Sequence, residues 1–150
     1  MSVVTEPELQ EQVEKITERI TGRDYVSALA AIEQIPLTAR TPLLLSAYAL
    51  CMAEVKGAGK STVNLCHEAI KKDPKNPEHY YRQGRILFLA GRKKDSIWAL
   101  RMGLRYGRHR GIIEALGSMG IRRAPPLAFL SRTNPLNKFL GILLTRLNLR

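Results

Sequence analysis

Gly57 and Gly91 stand 34 residues apart, each closing one apolar run and opening the next. An interval of that size, kept by several positions at once, marks a supersecondary unit that the chain uses more than once. Cys66 precedes Leu100 by the same 34 residues, and Ala69-Ile70 precede Gly103-Leu104. All are small or apolar, as close helix packing requires. Within the block from Asn76 to Gly107, Tyr80, Leu87 and Phe88, then Ile97, Leu100 and Leu104, fall at helical spacing. That block reads as two amphipathic helices with Gly91 as a C-terminal cap between them.

The junction at Gly57 contains "GAGKST", residues 57–62, which has the outline of a phosphate-binding loop. Such a loop needs a strand entering a glycine-rich turn, whose N–H groups wrap phosphate before a helix begins. In the G-x-x-x-x-G-K-[ST] spacing the first glycine falls at residue 54, where Glu54 would repel phosphate. The preceding "PLLLSAYALCMAEVKG" is rich in Ala, Leu and Met, a helical composition rather than an alternating strand. The glycines are expected to stop one helix, with Lys60 in a solvent-facing turn and Ser61 or Thr62 satisfying N–H groups at the next helix start.

The block from Asn76 resembles a tetratricopeptide repeat, whose pattern is W-x-x-L-G-x-x-Y, then A-x-x-x-F, then Pro. Tyr80 and Gly84 match it; Leu87 stands for the pattern's Tyr, Ser96 for its Ala and Leu100 for its Phe, with Gln83 replacing its Leu. The preceding unit ends on "HEAIKKDPKNP", with Pro74 in place and Leu50 where the pattern has glycine. An earlier unit runs through "LQEQVEKITERI" and "TGRDYVSALAAIEQIP", where Tyr25 and Ala28 fit a second helix and Gly22 is displaced by one residue. The resemblance implies an all-α, short right-handed superhelix of about three helix-turn-helix pairs. It would cover residues 1–120, with units at about 9–42, 43–76 and 77–110.

Charge divides the chain. Up to Pro74 there are eight basic and ten acidic residues, whereas from Lys75 onward sixteen Lys and Arg face only Glu78, Asp95 and Glu114. The cationic half attracts nucleic acid, anionic lipid or acidic protein without choosing among them. Cys51 and Cys66 make neither a disulfide framework nor a metal-ligand spacing and read as reduced core thiols. His67, His79 and His109 stand apart from any Cys or carboxylate cluster, which suits surface or packing roles. The opening "MSVVTEPELQEQ" lacks a basic stretch before an apolar one, and Leu43 to Val55 is too short to span a bilayer, so the expected location is cytoplasmic.

After Arg108 the repeat decays. "GIIEALGSMG" can form one more short helix that covers the last unit, and Pro125-Pro126 favour extended chain. Asn134 followed by Pro135 starts a final helix, with Leu136, Phe139, Leu140, Leu143, Leu144 and Leu147 on a broad apolar face. Residues 121–150 are thus expected to be an extended segment and an amphipathic helix docking on the repeats as a closing element, the other occupants of its apolar face being a partner, a second copy of the chain or a membrane surface.

By the resemblance, function is non-catalytic binding of an extended peptide or helix in the groove lined by the first helix of each unit. The groove places of the third unit fall on Glu78, Tyr81, Arg82, Arg85 and Phe88, and those of the second on Leu44, Ala47, Tyr48 and Cys51. Arginine beside aromatic rings suits an acidic, partly apolar protein segment, so Tyr48, Tyr81, Arg82, Arg85 and Phe88 are the expected partner-binding set. The clamp that some family members use for chaperone C-termini is represented by Arg82 alone, its other places holding Val13, Thr17, Tyr48 and Glu78. A second constellation, Lys94, Trp98, Arg101, Arg105 and Arg108, has a 4-3-4-3 spacing that puts all five on one face of the third unit's second helix. It is the alternative site, for a polyanion such as nucleic acid or an anionic membrane. Neither paired carboxylates, a nucleophile with its base, nor a metal or cofactor cluster can be assembled from the sparse histidines and acids.

Overall fold

Four times the chain offers a capping side chain followed by proline; at Asp73-Pro74 a helix has just ended, and at the other three a helix begins. Thr41 Oγ1 accepts from Leu44 N–H at 3.3 Å, Asn76 Oδ1 from Glu78 N–H at 3.0 Å and Asn134 Oδ1 from Leu136 N–H at 3.0 Å. Pro42, Pro77 and Pro135 follow in the first turn, where a missing N–H costs nothing. The computed structural model describes residues 6–120 and 134–146. Those residues form α1 (Glu6–Thr21), α2 (Tyr25–Glu33), a short 3-10 turn (Leu37–Ala39), α3 (Pro42–Lys56), α4 (Lys60–Lys72), α5 (Pro77–Leu89), α6 (Lys93–Tyr106), α7 (Arg110–Ser118) and α8 (Pro135–Arg146), with no strand among them. The expected extended segment around Pro125-Pro126 lies outside the described residues. The chain divides into two compact units, Met1–Ala115 and Leu116–Arg150.

In the first unit the 34-residue interval is a backbone rhythm. Arg23, Gly57 and Gly91 all have positive φ, at 64°, 101° and 73°. At Gly91 the helix closes with Gly91 N–H to Phe88 O (3.0 Å) and Arg92 N–H to Leu87 O (2.9 Å); at Arg23 the same pair recurs, Arg23 N–H to Ile20 O (3.0 Å) and Asp24 N–H to Arg19 O (2.8 Å). Both are Schellman closures. "GAGKST" is the middle junction: Gly57 to Gly59 connect α3 to α4, and Thr62 Oγ1 accepts from Gly59 N–H at 3.1 Å and donates to Gly59 O at 2.9 Å. Thr62 thus performs the capping expected of Ser61 or Thr62.

α1, α2 and α3 share a core of Ile16, Leu29, Ile32 and Leu44, and a second core joins Leu50, Cys66 and Ile86 from α3, α4 and α5. The second helix of each pair also packs on the first helix of the next, α2 on α3 and α4 on α5, while α3 lies beside α5. Where α5 crosses α6, a methyl placed on Gly84 would lie 2.5 Å from Leu100 Cδ2. The repeat-equivalent positions carry Leu50 and Cys66, both with 0% exposure in one cluster. The large residue has changed helix, so the pair keeps its volume although the glycine of the pattern is absent. Ser96, at the pattern's Ala, donates to Gly84 O at 2.7 Å across the same crossing.

In the second unit, α8 presents Leu136, Phe139, Ile142 and Leu143 at 41–66% exposure.

Candidate ligand-binding surfaces

The first helices of the pairs are joined by a chain of polar side chains. His79, with 0% exposure, holds Ser46 Oγ at 2.9 Å through Nδ1 and Asp73 Oδ2 at 3.3 Å through Nε2. Arg82 donates to Ser46 Oγ (3.0 Å), Leu43 O (2.7 Å) and Glu78 Oε1 (2.8 Å), and the other Glu78 oxygen takes His109 Nε2 at 2.6 Å. His109 Nδ1 in turn accepts from Ile112 N–H at 3.2 Å, capping α7. That bond needs an unprotonated Nδ1, so the His109 proton sits on Nε2, facing the carboxylate. Burial holds the His79 imidazole below its usual pKa, against the raising effect of Asp73. The neutral ring therefore faces the Asp73 carboxylate through Nε2 and Ser46 Oγ through Nδ1, and the Ser46 hydroxyl donates to Leu43 O at 3.1 Å.

Ser46, His79 and Asp73 have the composition of a hydrolytic triad, but the surroundings give them another role. Ser46 has 0% exposure and its oxygen already accepts from Arg82, whereas a nucleophile needs a lone pair facing substrate. The set satisfies buried polar groups and locks α3 to α5. The two thiols are equally enclosed: burial pushes Cys51 up to about 11 and Cys66 up to about 12. His79 is thus a packing histidine, as the sequence suggested, although its partners Asp73 and Ser46 lie 6 and 33 residues away and show no motif spacing.

This network decides the fate of the expected groove residues. Arg82 is 3% exposed with Nε and Nη1 bonded inside the chain, which makes it a core residue of the α3–α5 contact. Arg85 is bonded to Glu54 and lies over the Tyr25 ring, 5.5 Å from its centroid, so its charge is neutralised within the chain. Tyr81 is half-buried, its ring 4.9 Å from that of His109, and a methyl on Gly111 would come within 2.9 Å of it. Tyr48 is half-buried under Arg40, whose guanidinium stands 4.7 Å from its ring centre. Phe88 alone of the five is exposed.

The cationic constellation is different. Lys94, Trp98, Arg101 and Arg105 are all exposed on α6, and none of the three cations has an ion-pair partner among the described residues. Arg108 is exposed too, but α6 ends at Tyr106, so Arg108 stands in the turn before α7 and not on the helical face. Gly107 ends the helix in extended conformation, which breaks the 4-3-4-3 continuation one residue before Arg108.

Beside this row runs a groove of about 370 Å³ between α4, α5 and α6, lined by Val63, Ile70, Leu87, Trp98 and Met102, with His67 and the Arg92–Asp95 pair at its edge. The sequence reading missed it, because its walls come from three helices. Its trace in the sequence is Val63/Ile70 and Trp98/Met102 at helical intervals on facing second helices. Arg105 leans on the same wall, with Nη1 3.8 Å from Met102 Sδ. An apolar slot on the helix that carries a row of exposed cations can take an apolar side chain flanked by carboxylates, since the slot removes hydrocarbon from water while the row meets the charge.

Among the described residues, no group of three or more His, Cys, Asp or Glu could hold a metal ion, and no helix is long and apolar enough to cross a membrane. No protein-family model matches the chain, and no curated protein is significantly similar to it.

Proposed function

We propose that the chain is a non-catalytic interaction module, a short tetratricopeptide-like right-handed superhelix of three helix pairs that binds an acidic, partly apolar protein segment. The observation that carries this reading is the contrast in charge compensation. The inner arginines, Arg82 and Arg85, are paired with Glu78 and Glu54, while Lys94, Arg101 and Arg105 lie exposed on the helix that carries Trp98 with no ion pair among the described residues; the groove itself is lined by the paired Arg92 and Asp95. The preferred contact surface is therefore the α4–α6 groove. Phe88, exposed on α5, is the secondary candidate on the first-helix face.

Trp98 is the only tryptophan, so its emission reports on the groove directly. A synthetic amphipathic peptide rich in Asp and Glu and carrying Leu and Phe should shift that emission to the blue, and its Lys-substituted counterpart should not. Arg101→Glu with Arg105→Glu should weaken binding at least about tenfold, since each reversal removes a charge-assisted contact. Binding lost instead with Arg85→Gln, and kept in the double reversal, would move the site to the first-helix face. The same row also supports the polyanion reading, because an exposed indole between arginines can stack on a base. Mixed-sequence single-stranded DNA that displaces the peptide and quenches Trp98 more strongly would favour it.

A further inference from the structure

We propose that α8 is an in-plane docking helix for anionic lipid bilayers, acting independently of the α4–α6 groove. It carries Leu136, Phe139, Leu140, Ile142, Leu143 and Leu144, which at 100° per residue cover about 200° of arc. Leu136, Phe139 and Ile142 are 59–66% exposed, a large apolar outlay for a helix of 12 residues. Charge selects the surface that would cover it. After Glu114 the chain has no acidic residue, while Arg122, Arg123, Arg132, Lys138, Arg146 and Arg150 are all cationic.

A second copy is a poor occupant, because two identical segments with six cations and no acid repel. Nucleic acid would meet the cations but leave the leucines in water. An anionic bilayer satisfies both, taking the apolar side chains into its acyl boundary while the cations meet phosphate headgroups. At about 1.5 Å per residue α8 is roughly 18 Å long against a hydrocarbon core of roughly 30 Å, so it lies in the interface and does not span it. Lys138 and Arg146 near its two ends are long enough to reach headgroups from that depth.

The test is flotation of the full chain with vesicles of phosphatidylcholine alone and of phosphatidylcholine mixed with phosphatidylglycerol. The expected result is flotation with the anionic vesicles only, abolished by Phe139→Asp and by Ile142→Asp. Lys138→Glu with Arg146→Glu should lower the partition coefficient by more than tenfold, from about fivefold for each cation removed. Arg101→Glu with Arg105→Glu should float as the wild type does, which keeps failure here distinct from failure of the groove. Flotation that survives Phe139→Asp, or that disappears with the Arg101 and Arg105 reversals, overturns the proposal. So does a lower melting temperature or a dissociated dimer in Phe139→Asp, since the face would then be covered by the chain itself or by its copy.

Discussion

Arg82 and Arg101 are the same residue on successive helices of one pair, and they do opposite things. Arg82 is sunk into the α3–α5 contact with Ser46, Leu43 O and Glu78 around it, whereas Arg101 stands in solvent with no ion pair among the described residues. An arginine stays open to solvent and to ligands where its own chain leaves it uncompensated. Where the chain neutralises it, it is a bolt in the core. The 34-residue frame says which helix an arginine occupies, but partners on other helices decide which of these two it is.

The sharpest way to break this comparison is to remove each guanidinium in turn. Arg82→Met removes the charged donors from Leu43 O and Ser46 Oγ and deprives Glu78 of its closest cation in α5. Loss of one partner from such a network costs about 3 kcal/mol or more. Arg101→Met should leave the urea midpoint where it is. If both variants unfold at the wild-type midpoint, Arg82 is not structural, and it returns to the list of ligand-binding groups.

Next in size is Gly84→Ala. The network works only if α5 stays fixed against α6, and there the added methyl would meet Leu100 at 2.5 Å. Overpacking of this kind costs about 2 kcal/mol. Gly84→Leu combined with Leu100→Cys moves the bulk across the crossing, as Leu50 and Cys66 do in the second unit, and should be more stable in chemical denaturation than Gly84→Leu alone. A double variant no better than the single would mean that the two crossings are not built on one volume rule.

A third effect follows from His79, which faces Asp73, Ser46 and Arg82, with Glu78 on its own helix nearby. Burial lowers its pKa in the folded chain, so below the unfolded value of about 6.5 the unfolded chain takes up a proton that the folded one refuses. Stability is therefore complete above that pH and declines as pH falls toward the folded pKa, by at most about 1.4 kcal/mol per pH unit. Calorimetric unfolding between neutral and mildly acidic pH should show this slope in the wild type and a flatter one in His79→Gln. Equal slopes would show that the ring is protonated in the native chain.

Much of the fold was legible because helices are local. The boundaries at Gly57, Gly91 and Pro135, the thiols of Cys51 and Cys66, and the helix-to-helix junction at "GAGKST" follow from neighbours within a few residues. The site was less legible, because charge compensation is long-range: Glu54 reaches Arg85 over 31 residues and Ser46 reaches Arg82 over 36. Family-pattern reasoning put Arg82 on a groove because it lies on the first helix, and nothing near it in sequence shows that α3 would enclose it. The Trp98 groove was hidden for the same reason, with Val63 and Trp98 on separate second helices.

Arg23 is a third kind of arginine, and the smallest prediction rests on it. The sequence suggested a displaced Gly22 at the first junction, but it is Arg23, 34 residues before Gly57, that takes φ of 64°. Its side chain is exposed, so its charge has little to do with the position. What matters is the left-handed backbone, which strains an L-residue by roughly 1–2 kcal/mol and which glycine adopts freely. Glycine also gains freedom in the unfolded chain, which offsets part of that relief. Arg23→Gly should therefore stabilise the chain by roughly 0.5–1 kcal/mol and leave acidic-peptide binding unchanged. The opposite substitution, Gly91→Arg, should destabilise it by a similar amount, because both residues close a helix with the same two bonds. If Arg23→Gly instead weakens the fold, the guanidinium contributes more than its backbone costs. The first junction would then owe its shape to a side chain, unlike the two glycine junctions that share its interval.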